Sequence, residues 1–185
     1  MEKRELIRQA IHVVAGIAFI AVLAYFGRIN LIAISLLLLF AGSLLINFKL
    51  TGRHIPIAHD IGEVIEREKA RFPGWGAAWY LIGILLLAAM LSDNNEIIAG
   101  IFILAVPDGL ATIAGIRGDH KLPYNKKKTV EGTVAFFVSA LAAYFFIGPK
   151  IVPLAMLSAI VESSDLPIDD NFGLPLLCAV YLFLF

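Results

Sequence analysis

The chain has 185 residues, of which 59% are hydrophobic and 16% charged, with a mean hydropathy of +0.85, whereas soluble domains carry about 25% charged residues. That balance excludes an ordinary water-soluble fold and indicates a membrane protein. Fifteen basic and fifteen acidic residues cancel, so net charge selects no polyionic partner, and binding to nucleic acid is not expected.

A helix needs ~20 apolar residues, and at least ~17, to cross a bilayer core, because backbone groups in lipid must bond within the helix itself. The opening "MEKRELIRQAIH" leads into an apolar run over 7–26, with Arg8 and His12 in its first turns. No small-residue cleavage site follows, so a retained helix is expected rather than a removed signal peptide. A second run, 29–48, contains no charge. The segment 49–73 then holds "HIPIAHDIGEVIEREKARF", in which Ile57, Ile61, Val64 and Ile65 recur at helical spacing among Asp60, Glu63, Glu66 and Arg67. This pattern predicts a helix lying along the membrane surface.

Further runs cover 74–91 and 97–116, and a fifth, 130–147, qualifies if it starts near Thr129. The segments 151–161 and 172–185 are short for full spans and are expected to be tilted, broken or completed by buried polar neighbours. The predicted fold is all-α: one membrane-embedded domain over 1–185, with about seven transmembrane helices and the interfacial amphipathic helix. Cys178 is the single cysteine and reads as a packing residue. Oligomeric state is not legible.

Cationic segments resist translocation and accumulate on the cytoplasmic side. With seven spans and the N-terminus inside, Lys3, Arg4, Arg8, Lys49, Arg53, Arg67, Lys69, Arg71, Arg117, Lys121, Lys126, Lys127 and Lys128 all fall inside, leaving only Arg28 and Lys150 outside. The expectation is a multi-pass integral membrane protein with its N-terminus and polar site facing the cytoplasm.

Three polar islands interrupt the apolar sequence. Asp108 follows Pro107 inside the fourth run, where an ionised side chain costs about 2.5 to 3.5 kcal/mol. Either it faces a wet pocket and does chemistry, or it pairs with a neighbouring Lys or Arg. Pro107, with the small residues Gly109, Ala111, Ala114 and Gly115, predicts a broken or loosened helix open to a neighbour or ligand. Lys126, Lys127 and Lys128 lead directly into the fifth run at Thr129. A helix N-terminus with ammonium groups beside it suits a nucleotide's phosphates, and Lys121 just upstream is counted with them. Glu131, in the first turn, would hold a metal ion or orient a lysine. The third island, "VESSDLPIDDNFGLP", brings Glu162, Asp165, Asp169 and Asp170 into nine residues without a Lys or Arg. Facing the lysines, it reads as a magnesium site.

Other chemistries find no support. No G-x-x-x-x-G-K-[ST] or G-x-G-x-x-G motif occurs, His12, His54, His59 and His120 do not have zinc spacing, and no serine sits in a G-x-S-x-G setting.

The ordered elements "DGLATIAG", "GDHKLP", "KKKTVEGT" and "VES…DDNFGLP" resemble the CTP-dependent polyprenol kinase family, which includes dolichol kinase, phytol kinase and a CTP-using diacylglycerol kinase. The likeness runs from "IRQAIHVVAG" to the last acidic island. It implies a multispanning enzyme that passes the terminal phosphate of CTP to a lipid alcohol. By motif, Asp108, Gly109 and Gly115 fall on the family's aspartate-glycine helix. Lys127, Lys128, Thr129, Glu131, Gly132 and Thr133 fall on its CTP-binding segment, and Glu162, Asp169, Asp170 and Asn171 on its late acidic motif. Arg67, Glu68 and Lys69 match its interfacial "R-E-K", and His12 is a supporting residue of the first span. Pro107 stands where the family usually has glycine, and Arg8-Gln9 where it has Arg-Lys.

The implied mechanism places CTP phosphates on Lys127, Lys128 and the start of the fifth run, with magnesium held by two or more of Asp108, Glu162, Asp169 and Asp170. Asp108, as the deepest carboxylate, would take the proton of an alcohol entering from the lipid. Phosphatidate cytidylyltransferases share the "KKT-x-EG" element, so a CTP-dependent lipid cytidylyltransferase is the alternative enzyme. A proton- or cation-coupled transporter centred on Asp108 is the alternative outside enzymology.

Overall fold

The computed structural model describes residues 2–51 and 74–185. The expected surface helix, with Arg67, Glu68, Lys69, His54 and His59, lies outside the described residues. Among those described, the chain is helical, with one isolated β-bridge in a loop. The helices are α1 (Glu2–Leu50), α2 (Trp75–Met90), α3 (Asn94–Arg117), α4 (Val130–Ala140), α5 (Tyr144–Ile147), α6 (Ile151–Ser163) and α7 (Asp170–Leu184). Short 3-10 turns at Leu141–Ala143 and Gly148–Lys150 flank α5.

The expected count of about seven spans is not supported. Among the described residues, three stretches, Arg4–Phe48, Asn94–Arg117 and Val130–Ser163, have the length and apolarity to cross a membrane, and two shorter apolar helices, Trp75–Met90 and Asp170–Leu184, accompany them. Runs 7–26 and 29–48 fall within α1 on either side of a kink at Gly27, and runs 130–147 and 151–161 are joined through the short 3-10 turns.

Gly27 has φ 81° and ψ 173° inside α1, a backbone state that L side chains rarely adopt. The chain reverses there. On the first arm, the His12 carbonyl accepts from Tyr80 of α2. Just past the pivot, Arg28 donates to the carbonyls of Ala88 and Ala89 at the far end of α2. Ile46 then returns to Gly74 at the start of α2. Arg28 thereby satisfies terminal carbonyls that a helix end leaves without partners.

Helix α3 is the axis of the bundle. It packs on α1 and α4, and buries Ile97, Ile101, Ile103 and Leu104 with Leu23, Leu31, Leu87 and Phe136. Asp93 caps its start through the Asn95 N–H at 2.8 Å, while Glu96 and Arg117 stand at the ends that favour their charges. The helix is not broken at Pro107 as expected: it is continuous through it. In the turn before Pro107, the Leu104 carbonyl lies 3.1 Å from His12 Nε2, which ties α1 to α3 at this level. Against α4 the approach is close, since a Cβ on Gly132 would lie 2.9 Å from the Ala111 carbonyl oxygen.

The two ends of α3 differ in charge. One end gathers Arg8, Lys121, Lys127 and Lys128 with the acidic island, while at the other Lys150 bonds Glu96 at 3.1 Å.

Candidate active site

At the cationic end of the bundle, a cavity of about 670 Å³ is lined from six directions: the first turns of α1, the last half of α3, the 118–129 loop, the start of α4, the end of α6, and the 164–170 segment. Asp108 reaches it from α3 and is 6% exposed. Its Oδ2 lies 3.8 Å from His12 Nε2, and the His12 ring packs on Tyr80 at 4.4 Å between centroids.

The 118–129 loop folds back on itself so that its lysines overhang the acidic residues. Lys121 bridges Thr129 in antiparallel fashion, with the Val130 N–H donating to His120 O at 2.9 Å and the Leu122 N–H to Lys128 O at 3.1 Å. Asn125 is the buried anchor. Its Nδ2 donates to Ser163 O at 2.9 Å and its Oδ1 accepts from the Lys127 N–H at 3.1 Å. Tyr124 adds a hydroxyl contact to Ser163 at 2.9 Å.

Lys128 is thereby brought to Glu162, to which it is hydrogen bonded, and to within 3.8 Å of Asp170. Burial alone would lower the Lys128 pKa, but Glu162, then Asp170 and Asp108, outweigh it and hold it above the ordinary lysine value. Lys128 is therefore an ammonium ion near neutral pH. Lys127 meets both oxygens of Asp165 at 3.0 Å in a more exposed pair at the rim. Between the lysines and the bundle, Thr129 caps α4 by accepting the Gly132 N–H at 3.1 Å.

Of the residues expected from sequence, Asp108, Gly115, Lys121, Lys127, Lys128, Thr129, Gly132, Thr133, Glu162, Asp169 and Asp170 share this cavity. Others do not line it. Lys126 is exposed outside it. Gly109 faces α1, where a Cβ would lie 2.8 Å from Val13 Cγ2. Asn171 ties α7 to α2 through the Gly76 carbonyl at 3.1 Å. Glu131 contacts neither a lysine nor the cavity, because its Oε1 accepts from His120 Nδ1 at 2.6 Å on the outer side of the loop.

Magnesium is expected on two or more of Asp108, Glu162, Asp169 and Asp170, all of which line the cavity. Among the described residues, no group of three or more His, Cys, Asp or Glu is placed to hold a metal ion. Asp169 caps α7 through the Asn171 N–H and accepts from Trp75 Nε1 at 3.0 Å. Glu162 Oε2, by contrast, is buried without a hydrogen-bond partner.

The cavity also includes residues that sequence reasoning missed or left unassigned. Glu5 and Arg8 pair on its α1 wall. Thr112 accepts Gln9 Nε2 at 3.0 Å, so Gln9 serves helix packing where the resemblance leads one to expect a second cation. Asn125 carried a signal, as the first residue of "NKKKT", and Asp165 sat in the acidic island. Glu5 had none, being one of several charges before the first run.

The chain is 37% identical over 179 residues to the uncharacterized protein MJ1137 of Methanocaldococcus jannaschii, covering 95% of this chain and 91% of that protein. It is 30% identical over 130 residues to a probable phytol kinase, chloroplastic, of Triticum aestivum, covering 59% of this chain and 43% of that one. It is 32% identical over 129 residues to a farnesol kinase, chloroplastic, of Arabidopsis thaliana, covering 59% of this chain and 42% of that one. The chain thus spans less than half the length of the plant kinases it matches. No protein-family model matches the chain, and no solved structure matches it significantly.

Proposed function

The chain belongs to one family with the uncharacterized protein of M. jannaschii, and we propose that it is a membrane kinase that moves the terminal phosphate of CTP onto the hydroxyl of a polyprenol-type alcohol. Its distant similarity to phytol and farnesol kinases supports an isoprenoid alcohol as acceptor. The observation that carries the reading is the meeting of Lys128 with Glu162, Asp170 and Asp108 in one cavity of an apolar bundle.

In this reading Lys127, Lys128 and Lys121 bind the triphosphate from the loop side. The alcohol enters from the lipid with its chain between helices, and its hydroxyl meets Asp108. Asp108 accepts the hydroxyl proton as the oxygen attacks the terminal phosphorus and CDP departs. His12 stands beside that carboxylate, its Nε2 3.8 Å from Asp108 Oδ2. Phosphoryl transfer asks the protein mainly for positioning and charge neutralisation.

Magnesium fits the acidic wall of the cavity. Glu162 Oε2 is a buried carboxylate oxygen without a protein partner, and this ion needs only one or two carboxylates when phosphate oxygens and water complete its shell. Glu162 and Asp170, with Asp108 beside them, would hold it, and it would neutralise charge on the phosphates. Asp169 remains the cap of α7. The N-terminus and the cavity face the cytoplasm, where the nucleotide is available.

The test is to supply CTP labelled at the α or at the terminal phosphate, in separate reactions, with a panel of isoprenoid alcohols. A kinase puts only the terminal label into lipid and releases CDP. Entry of the α label into lipid, with release of pyrophosphate, would make the chain a cytidylyltransferase. Transfer of neither label, with ion flux in liposomes lacking nucleotide, would make it a transporter.

A further inference from the structure

Glu131 lies in the segment that the family resemblance assigns to the nucleotide, yet its carboxylate turns away from the cavity. Its Oε1 accepts the Asp119 N–H at 3.2 Å and the His120 N–H at 3.3 Å, and lies 2.6 Å from His120 Nδ1. Its Oε2 is buried against Gly118, where a Cβ would come within 2.6 Å, so the loop backbone is seated on the carboxylate more closely than any other residue would allow. The next links in the chain bond inward. His120 O takes the Val130 N–H, and Lys121 bridges Thr129 and reaches the cavity wall.

Electrostatics favours this orientation. A carboxylate in the first turn of α4 is stabilised by the positive end of the helix, but turned into the cavity it would repel the phosphates that the same helix end attracts. Turned outward, it keeps the favourable interaction and satisfies two loop donors that would otherwise depend on water.

We propose that Glu131 is a positioning residue: it staples the 118–121 segment to the first turn of α4 from outside the cavity and so holds Lys121 where an anionic ligand's phosphates bind. That the ligand is a nucleotide rests on the function proposed above. The staple itself depends only on the loop.

The two parts are tested together on the purified full chain in detergent, using amide hydrogen exchange of residues 118–122 and CTP binding and turnover. The variants are Glu131→Ala, Glu131→Gln, Lys121→Met and the double variant of Glu131→Ala with Lys121→Met. Glu131→Ala is expected to accelerate exchange at Asp119 and His120 and to weaken CTP about tenfold, the effect of losing one charge-assisted hydrogen-bond set, with turnover at saturating CTP near that of the parent. Lys121→Met should weaken CTP similarly without faster exchange, and the double variant should be no weaker than Lys121→Met alone. Glu131→Gln, whose amide oxygen still accepts from both N–H groups, should recover most of the loss. Unchanged exchange in Glu131→Ala overturns the staple, and additive losses in the double variant overturn action through Lys121. Collapse of turnover in Glu131→Gln with normal exchange would make Glu131 a group that meets the reactants. If the parent binds no nucleoside triphosphate while Glu131→Ala still loosens the segment, the staple stands and the nucleotide reading falls.

Discussion

Asp108 and Glu162 are both buried carboxylates at one cavity, 6% and 2% exposed, but their neighbours differ: Asp108 has a histidine at 3.8 Å and Glu162 has an ammonium bonded to it. Asp108→Asn therefore removes a proton acceptor without unpairing a cation. Turnover should fall by roughly 10²–10⁴ with CTP binding retained, as measured by label transfer and equilibrium binding; loss of binding in a folded variant would remove Asp108 from the role of base. Lys128→Met instead leaves Glu162 buried and unpaired. It should destabilise the bundle by about 3 kcal/mol, the low end for a broken buried pair because Lys128 is 29% exposed. Adding Glu162→Gln should restore much of that stability in thermal unfolding. His120 behaves differently, because the hydrogen bond and charge of Glu131 raise its pKa above the ordinary histidine value in an exposed setting. A raised value means that the folded chain binds this proton more tightly than the unfolded one. Its contribution is complete below about pH 6.5 and disappears as pH rises through the raised value. The gap in melting temperature between the parent and His120→Gln should shrink over that interval. At this scale the sequence was legible where a charge interrupts apolar residues, as at Asp108 and Glu162. It was not legible where direction decides, as at Glu131, because a side chain one turn into a helix points inward or outward according to how a distant loop closes.

The helices are held together by backbone proximity as much as by bulk, and glycine positions separate the two contributions. Gly132 and Gly42 are both helical glycines, yet a Cβ on Gly132 would meet the Ala111 carbonyl oxygen at 2.9 Å, while a Cβ on Gly42 meets nothing within 4 Å. Gly132→Ala should cost about 1–3 kcal/mol by forcing α3 and α4 apart, whereas Gly42→Ala should be neutral or gain roughly 0.5–1 kcal/mol. Thermal unfolding in one detergent compares them directly; equal effects would mean that the α3–α4 approach is not tight. Hydropathy located the apolar runs within a few residues, since apolarity is local information. It did not reveal that the apparent boundary near 141–150 is bridged by short 3-10 turns, nor that α3 passes through Pro107 unbroken. Those outcomes depend on contacts between elements distant in sequence, of the kind Arg28 makes with the Ala88 carbonyl.

Over the whole molecule, α3 spans 24 residues, about 36 Å at helical rise, enough to separate the Asp93–Glu96 turn from the lysine loop by the thickness of a bilayer core. In intact cells, a membrane-impermeant maleimide should label Asn95→Cys, and should reach Lys126→Cys only after the membrane is opened. Cys178 is fully buried and supplies no background. The reverse pattern would turn the chain over and put the cavity outside. The gathering of "DG", "KKKT" and the acidic island was legible in outline because each places charge at the same end of an apolar run. The α1 wall of Glu5 and Arg8 was not, since it depends on how the first arm leans on α3. That arm's abrupt return has a consequence for how the protein is made. With a single glycine and Arg28 at the crest, the two halves of α1 leave no long connecting loop to be sorted between compartments, and the nascent chain is expected to commit both to the bilayer as one insertion unit, the second half being uncharged from Ile29 to Phe48.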